Sequence, residues 1–170
     1  IMCQWAKHLG ATVIGTVGTP AKAKLAEAHG CDHPIVYTRQ DFVERVKRIT
    51  KGELVPVVYD SIGNATFPAS LDCLRPRGLF VSYGNASGPI PPMNPTILMA
   101  KGSLMMTRPS LPHYTATRKD LELRARSLFK AINSGVVKIE VNQTYALKEA
   151  ANAHRALAAR ETTGSTVLLP

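Results

Sequence analysis

The chain has 170 residues, with 21 Lys and Arg against 12 Asp and Glu, a formal net charge of +9 and 45% hydrophobic residues. That apolar content argues against disorder and suffices for a packed core, and no apolar run approaches the roughly 18 residues of a membrane span. Cys3, Cys31 and Cys73 are widely spaced and form neither a disulfide framework nor a C-x-x-C metal pair, so a cytoplasmic, reducing setting is expected.

In chain order, Ile1, Met2, Trp5, Ala6 and Leu9 recur at helical spacing, and Gly10 stands where that helix would stop. The run Thr12 to Val17 is a strand, and Gly18-Thr19-Pro20 turns it into a helix from Ala21 to Ala28 that Gly30 closes. A short strand, Ile35-Val36-Tyr37, follows. Asp41 with Glu44 then caps a helix whose inner face is Phe42, Val43, Val46 and Ile49. Leu54 to Tyr59 is the next strand. A short helix ending at Arg75-Pro76-Arg77-Gly78 leads to a strand over Leu79 to Tyr83. Pro89, Pro91, Pro92 and Pro95 mark residues 89–97 as a loop, and Ser103 to Thr107 is a last strand of this series. Thr117 and Asp120 open a long helix with apolar positions Leu121, Ala125, Leu128, Phe129 and Ile132, ended by Ser134-Gly135. Beyond about Glu140 the rhythm breaks: an Ala-rich helix from Leu147 to Ala159 precedes a strand over 164–169 that belongs to another sheet.

Strands separated by helices at this spacing predict an α/β fold, a Rossmann-like doubly wound parallel sheet whose strands are buried on both faces. The C-terminal strand ends carry small and polar residues: Gly15 to Gly18, Asp60 to Gly63, and Gly84 to Gly88. In open α/β sheets the ligand crevice lies at those ends. The chain starts with Ile1 already inside a helical pattern and therefore reads as a fragment. A strand and a glycine loop for the pyrophosphate are expected immediately upstream. Residues 1–139 are read as an N-terminally incomplete Rossmann-like nucleotide-binding domain, and 140–170 as a C-terminal segment that belongs with a separate domain.

The charge divides unevenly, with 10 basic against 7 acidic residues in 1–100 and 11 against 5 in 101–170. No Lys/Arg run exceeds two residues and none is interleaved with aromatics, which speaks against nucleic acid as a partner. A pocket for an anionic small molecule fits better. The apolar strand 103–107 carries no charge and, as a bare edge, is expected to pair two copies into a homodimer.

The turn Gly18-Thr19-Pro20-Ala21-Lys22-Ala23-Lys24 narrows the ligand. In dinucleotide-binding folds an acidic residue after the second strand holds the ribose 2′-hydroxyl of NAD, whereas a cation with small residues accommodates the 2′-phosphate of NADP. No carboxylate lies between Ile1 and Glu27, so this turn suits a phosphate. The histidines and cysteines show no metal-ligand spacing.

These features accompany a family resemblance. Cys3 to Lys7, Ile14 to Thr19, Val57 to Gly63, Ser70 to Leu74, Thr107 to Leu111 and Gly164-Ser165 occur along the whole chain in an order similar to that of the zinc-free, NADPH-dependent quinone oxidoreductases. These are the zeta-crystallin-like branch of the medium-chain dehydrogenase/reductase superfamily, and the chain resembles their C-terminal half. The resemblance implies that Gly18, Thr19 and Lys22 receive the 2′-phosphate. It puts Tyr37 near the adenosine phosphate or adenine, and Ser61 on the adenosine side of the crevice. Gly84, Asn85 and Ser87 would lie near the nicotinamide ribose. Arg108, Pro109, Ser110 and Leu111 would hold the nicotinamide amide, and Arg160 would reach back to the cofactor. It further implies hydride transfer from NADPH to a quinone, with the catalytic residues in a domain outside this chain. An NADPH-dependent enoyl or alkenal reductase shares the same cofactor half. A non-enzymatic, RNA-binding or crystallin-like relative is the alternative from another class.

Overall fold

The computed structural model describes residues 1–170. Two βα units open the chain: helix α1 (Met2–His8), strand β1 (Ile14–Val17), helix α2 (Pro20–Ala28), strand β2 (His33–Val36) and helix α3 (Phe42–Ile49). The stop after α1 is Gly10 at φ +84°, and that after α2 is Gly30 at φ +87°, the left-handed conformation that favours glycine. Helix α3 starts where its cap residue dictates. The Asp41 carboxylate accepts from the amides of Val43 (2.8 Å) and Glu44 (3.1 Å). Glu44 does not complete a reciprocal box, because its carboxylate takes the Lys47 ammonium at 2.8 Å instead.

Strands β3 (Val55–Asp60), β4 (Leu74–Ser82) and β5 (Met105–Thr107) form a second ladder in that order, with helix α4 (Thr96–Ala100) between β4 and β5. All pairings are parallel, with Ile14 opposite His33, Val57 opposite Leu79, and Leu79 opposite Met105. The architecture is α/β, as expected, but the sheet is not one continuous ladder. β1–β2 and β3–β4–β5 share no strand pairing, so β1 and β3 each keep an unpaired edge.

Two details depart from the pattern-based reading. The segment after β3 is a short 3-10 helix, Ala69–Cys73, and β4 begins at Leu74 rather than Leu79. Leu74 pairs with Val55 and Leu79 with Val57, so Arg75 to Gly78 bulge out of the ladder, with Arg77 at φ +59°. Pro76 suggests a turn in sequence, yet it is accommodated because it sits in the bulge.

The core joins the two ladders through side chains. Ile35, Val46 and Cys73 pack with Ile14, Val55 and Val58, bridging β1, β2, α3 and β3. A larger cluster of Phe67, Leu71, Leu74, Phe80 and Leu104 lies under β3–β5, with the Phe67 and Phe80 rings 5.8 Å apart. Full burial of a side chain such as Phe80 contributes about 1.5–3 kcal/mol.

Helix α5 (Leu111–Tyr114) and the long helix α6 (Arg118–Asn133) follow. Thr117 caps α6 by accepting from the Asp120 amide at 3.1 Å. Of the expected apolar face, Ala125, Leu128 and Ile132 turn inward with Ala131, but Leu121 and Phe129 stand exposed. Phe129 lies to the side of the buried stripe, whereas Leu121 is on it but in the first turn of the helix.

The tail has strand β6 (Val141–Ala146), a 3-10 turn, helix α7 (Ala150–Ala158) and strand β7 (Ser165–Leu169). β6 and β7 pair in parallel as a separate sheet, as the break in rhythm predicts. Only 18 of the 170 residues are buried, so large apolar side chains, Leu111, Phe129 and Leu157 among them, remain on the surface. No helix is long and apolar enough to cross a membrane.

Candidate functional site

The expected site residues fall into two groups. The first gathers at the end of β1 and the start of α2. Thr19 is the N-cap of α2, its hydroxyl accepting from the Lys22 amide at 3.2 Å, and Pro20 follows at the first helical position. No acidic residue occupies the first turn. The helix terminus and the nearby ammonium thus present positive charge together.

Tyr37 comes in directly after β2, its amide donating to the Val17 carbonyl at 3.1 Å. Thr38 donates from its hydroxyl to the Gly18 carbonyl at 2.9 Å, pinning the turn against the end of β2. A Cβ on Gly18 would lie 3.4 Å from the Tyr37 hydroxyl, so the glycine leaves open the space beside that ring.

Arg160 reaches this corner from the far end of the chain. Lys22 Nζ donates to the Arg160 carbonyl at 2.8 Å, and Arg160 Nη1 donates to the Tyr37 hydroxyl at 3.4 Å. Arg160 also adopts φ +60°, a left-handed conformation costing a non-glycine residue roughly 1 kcal/mol. The structure therefore brings Gly18, Thr19, Lys22, Tyr37 and Arg160 to one place. Neither cation is ion-paired to a carboxylate: Lys7–Asp32, His29–Glu140, Lys47–Glu44, Lys101–Asp72, Arg118–Glu122 and Arg126–Glu122 are the ion pairs of the chain.

The second group lies at the C-terminal ends of β3, β4 and β5. Asp60, buried at the end of β3, accepts from the amides of Ile62 (2.8 Å) and Gly63 (3.0 Å) and from the hydroxyls of Thr66 (2.6 Å) and Ser70 (2.8 Å). Burial pushes its carboxyl upward, but these four bonds outweigh that and hold it below the usual carboxylate range. Asp60 thereby shapes the loop that carries Ser61.

Gly84 follows β4 so closely over Ser61 that a Cβ would sit 2.5 Å from the Ser61 carbonyl oxygen. The Ala86 amide donates to that same oxygen at 3.0 Å. Ser87 uses its hydroxyl internally, donating to the Ile62 carbonyl (2.8 Å) and accepting from the Ala65 amide (2.9 Å). It ties two crevice loops together, while Asn85 stands exposed beside it. Arg108, after β5, donates to the Ser82 carbonyl at 2.9 Å, bracing the ends of β4 and β5. Pro109 and Ser110 then lead to Leu111, which is 73% exposed. No side-chain hydrogen bond or ion pair connects the second group to the first.

A cavity of about 410 Å³ adjoins the first group, lined by Gln4, Lys22, His29, Glu140 and Thr163 among others. Across it the Gln4 side chain accepts from the Lys138 amide (2.6 Å) and donates to the Lys138 carbonyl (3.2 Å). His29 sits between the Leu25 carbonyl (2.7 Å from Nδ1) and Glu140 (3.1 Å from Nε2). A protonated imidazole can donate to both, so the Leu25 carbonyl first and Glu140 second raise its pKa. Sequence reasoning missed Gln4, His29, Thr38 and Glu140. Asp60 carried the only local signal, an Asp before a glycine turn with hydroxyl residues downstream.

Residues 1–122 match the zinc-binding dehydrogenase family, and the chain belongs to it. Among its relatives, a quinone oxidoreductase of Pseudomonas aeruginosa is 54% identical over 168 residues, 99% of this chain and 52% of that protein. A 2-haloacrylate reductase from a Burkholderia species is 51% identical over 171 residues, 100% of this chain and 51% of that protein. The crystal structure of Escherichia coli quinone oxidoreductase complexed with NADPH superposes with a TM-score of 0.96 at 52% identity, over 100% of this chain and 53% of that one. The chain spans about half the length of the curated relatives it matches.

The family's description names zinc. No three His, Cys, Asp or Glu side chains of this chain come together as a metal-holding group. Burial pushes the Cys73 thiol up to about 12, which keeps it protonated and a poor ligand. The residues present thus do not fit a zinc site.

Proposed function

We propose that this chain is the cofactor-binding part of a zinc-independent, NADPH-dependent quinone oxidoreductase. The observation that carries the reading is the meeting of Lys22, Arg160 and the Tyr37 hydroxyl at the capped start of α2, with no carboxylate paired to either cation. That donor set fits the 2′-phosphate of NADPH and would hold the uncharged ribose of NADH poorly. Ser61 would line the adenosine side of the crevice, and Gly84, Asn85, Ser87 and the run Arg108 to Leu111 the nicotinamide side, with the close approach of Gly84 to Ser61 keeping the crevice narrow between them. When bound, NADPH supplies the hydride, while the protein orients the ring and shields it from water.

In this reading residues 1–139 are the nucleotide-binding domain and 140–170 belong structurally to a catalytic domain that holds the substrate-side residues. The separate β6–β7 sheet and the exposed Leu111, Phe129 and Leu157 support that division, because such surfaces pack on further protein. The free cysteines are consistent with a cytoplasmic location. β5 stands at a sheet edge with Met105 half exposed, which supports a homodimer through 103–107. Light scattering of the full-length protein tests this, and a strictly monomeric species would end the idea.

The cofactor reading is tested by measuring NADPH and NADH affinity before and after Lys22→Glu. NADPH binds more tightly in the native protein, and the substitution erodes that preference by about tenfold or more, the loss expected for a charge-assisted bond turned repulsive. Equal affinities before the change and no response after it would sink the assignment. A second reading, reduction of an activated alkene, is favoured by the 51% identity to the 2-haloacrylate reductase. A screen of quinones against enones and acrylates separates the two.

A further inference from the structure

The 140–170 segment contributes almost nothing to the common core. Ala153 is its only buried residue, and neither hydrophobic cluster draws on it. Polar links tie the segment and its entrance to the rest instead: Gln4 with the Lys138 backbone, His29 with Glu140, Lys22 with the Arg160 carbonyl, and Arg160 with Tyr37. Two of these four are made by the groups assigned above to the 2′-phosphate. They are also the incomplete ones. Lys22 spends one of three ammonium hydrogens on a neutral carbonyl, and Arg160 spends one donor on a long bond to a hydroxyl. Bringing two unpaired cations to the same corner opposes closure of the segment, and a dianion between them would reverse the sign of that interaction.

We propose that the 2′-phosphate works as a clasp, bridging Lys22 on α2 and Arg160 behind α7 so that NADPH fastens the 140–170 segment to the nucleotide-binding unit and NADH does not. The inference rests on the NADPH reading and adds a consequence to it: the phosphate that selects the cofactor also sets how tightly two parts of the protein are joined. Cofactor choice is thereby coupled to the position of the segment assigned to the catalytic domain.

Hydrogen exchange of the full-length protein, followed at the amides of residues 159–165 with saturating NADPH and then saturating NADH, tests the clasp. NADPH slows exchange there by about tenfold relative to NADH, and 2′,5′-ADP reproduces the effect where 5′-AMP does not, because only the phosphate differs. Lys22→Gln abolishes the difference between the two cofactors. If NADPH binds more tightly than NADH while exchange at 159–165 is the same with both, the clasp is overturned and the cofactor reading stands. If the protein shows no preference between the cofactors, both are overturned.

Discussion

Replacing Asp60 should separate the shape of the crevice from its contacts with ligand, because Asp60 touches only protein. Its two oxygens satisfy four donors, of which the Gly63 amide and the Ser70 hydroxyl are fully buried. Asp60→Ala leaves those two without a partner and lets the Ile62 amide and Thr66 hydroxyl seek water. At about 1–3 kcal/mol for each of the two buried orphaned donors, the loss is about 2–6 kcal/mol, a large part of the stability of a typical domain. Asp60→Asn keeps one oxygen for the two amides, and the hydroxyls of Thr66 and Ser70 can rotate to accept from its amide group, so it costs about 1–2 kcal/mol. In urea denaturation of the full-length protein followed by circular dichroism, a slope of about 2 kcal/mol/M turns the alanine effect into a midpoint shift of about 1–3 M. An alanine variant within about 0.5 kcal/mol of the native protein, the range of an unimportant surface change, would refute the reasoning. So would an asparagine variant as unstable as the alanine one. The pH dependence has a fixed sign. The lowered Asp60 pKa contributes stability that is complete above the usual carboxylate range and is lost as pH falls through the folded value.

Gly63→Ala should cost about 2–4 kcal/mol, because φ is +85° and a Cβ would lie 2.4 Å from the Gly88 carbonyl oxygen, read as a fall in Tm. Arg160→Gly relieves the left-handed backbone while removing a cation, so it should weaken NADPH binding without lowering Tm; a fall in Tm with unchanged NADPH affinity would reverse the assignment. His29 has a raised pKa, through the Leu25 carbonyl and then Glu140, so its contribution is full below about pH 6.5 and is lost as pH rises through the folded value. NMR shifts of amides near Glu140 should therefore titrate together with the His29 ring, and that titration should vanish in His29→Gln.

The strand-helix alternation was readable because each element is encoded locally. Apolar runs, the caps at Asp41 and Thr117, and the glycines at 10 and 30 act within a few residues of where they stand. The bulge at Arg75 to Gly78 was not readable, since it depends on which residue of β3 each flank finds opposite it. The corner at the start of α2 was half legible. Gly18, Thr19 and Lys22 carry their chemistry in one turn, whereas Tyr37 and Arg160 acquire meaning only from a resemblance or from the fold that joins them. Ser87 illustrates the opposite limit. A serine at a strand end suits a ligand, but its hydroxyl is occupied by two neighbouring loops. Gln4 has no local signal at all, and His29 only its turn-mate Leu25, because Lys138 and Glu140 lie more than a hundred residues away in sequence.

The strand pairings within each ladder join segments that are near one another along the chain, such as Ile14 with His33 and Leu79 with Met105. The contact between Lys22 and Arg160 instead closes a loop 138 residues apart. Closing such a loop costs about 1.7 kcal/mol more in chain entropy than closing one of about 20 residues. The βα units can therefore form in the order in which they leave the ribosome, and the tail is the last part to find its seat. Pulse-labelled hydrogen exchange during refolding would record that order as early protection in β1–β5 and late protection at Arg160.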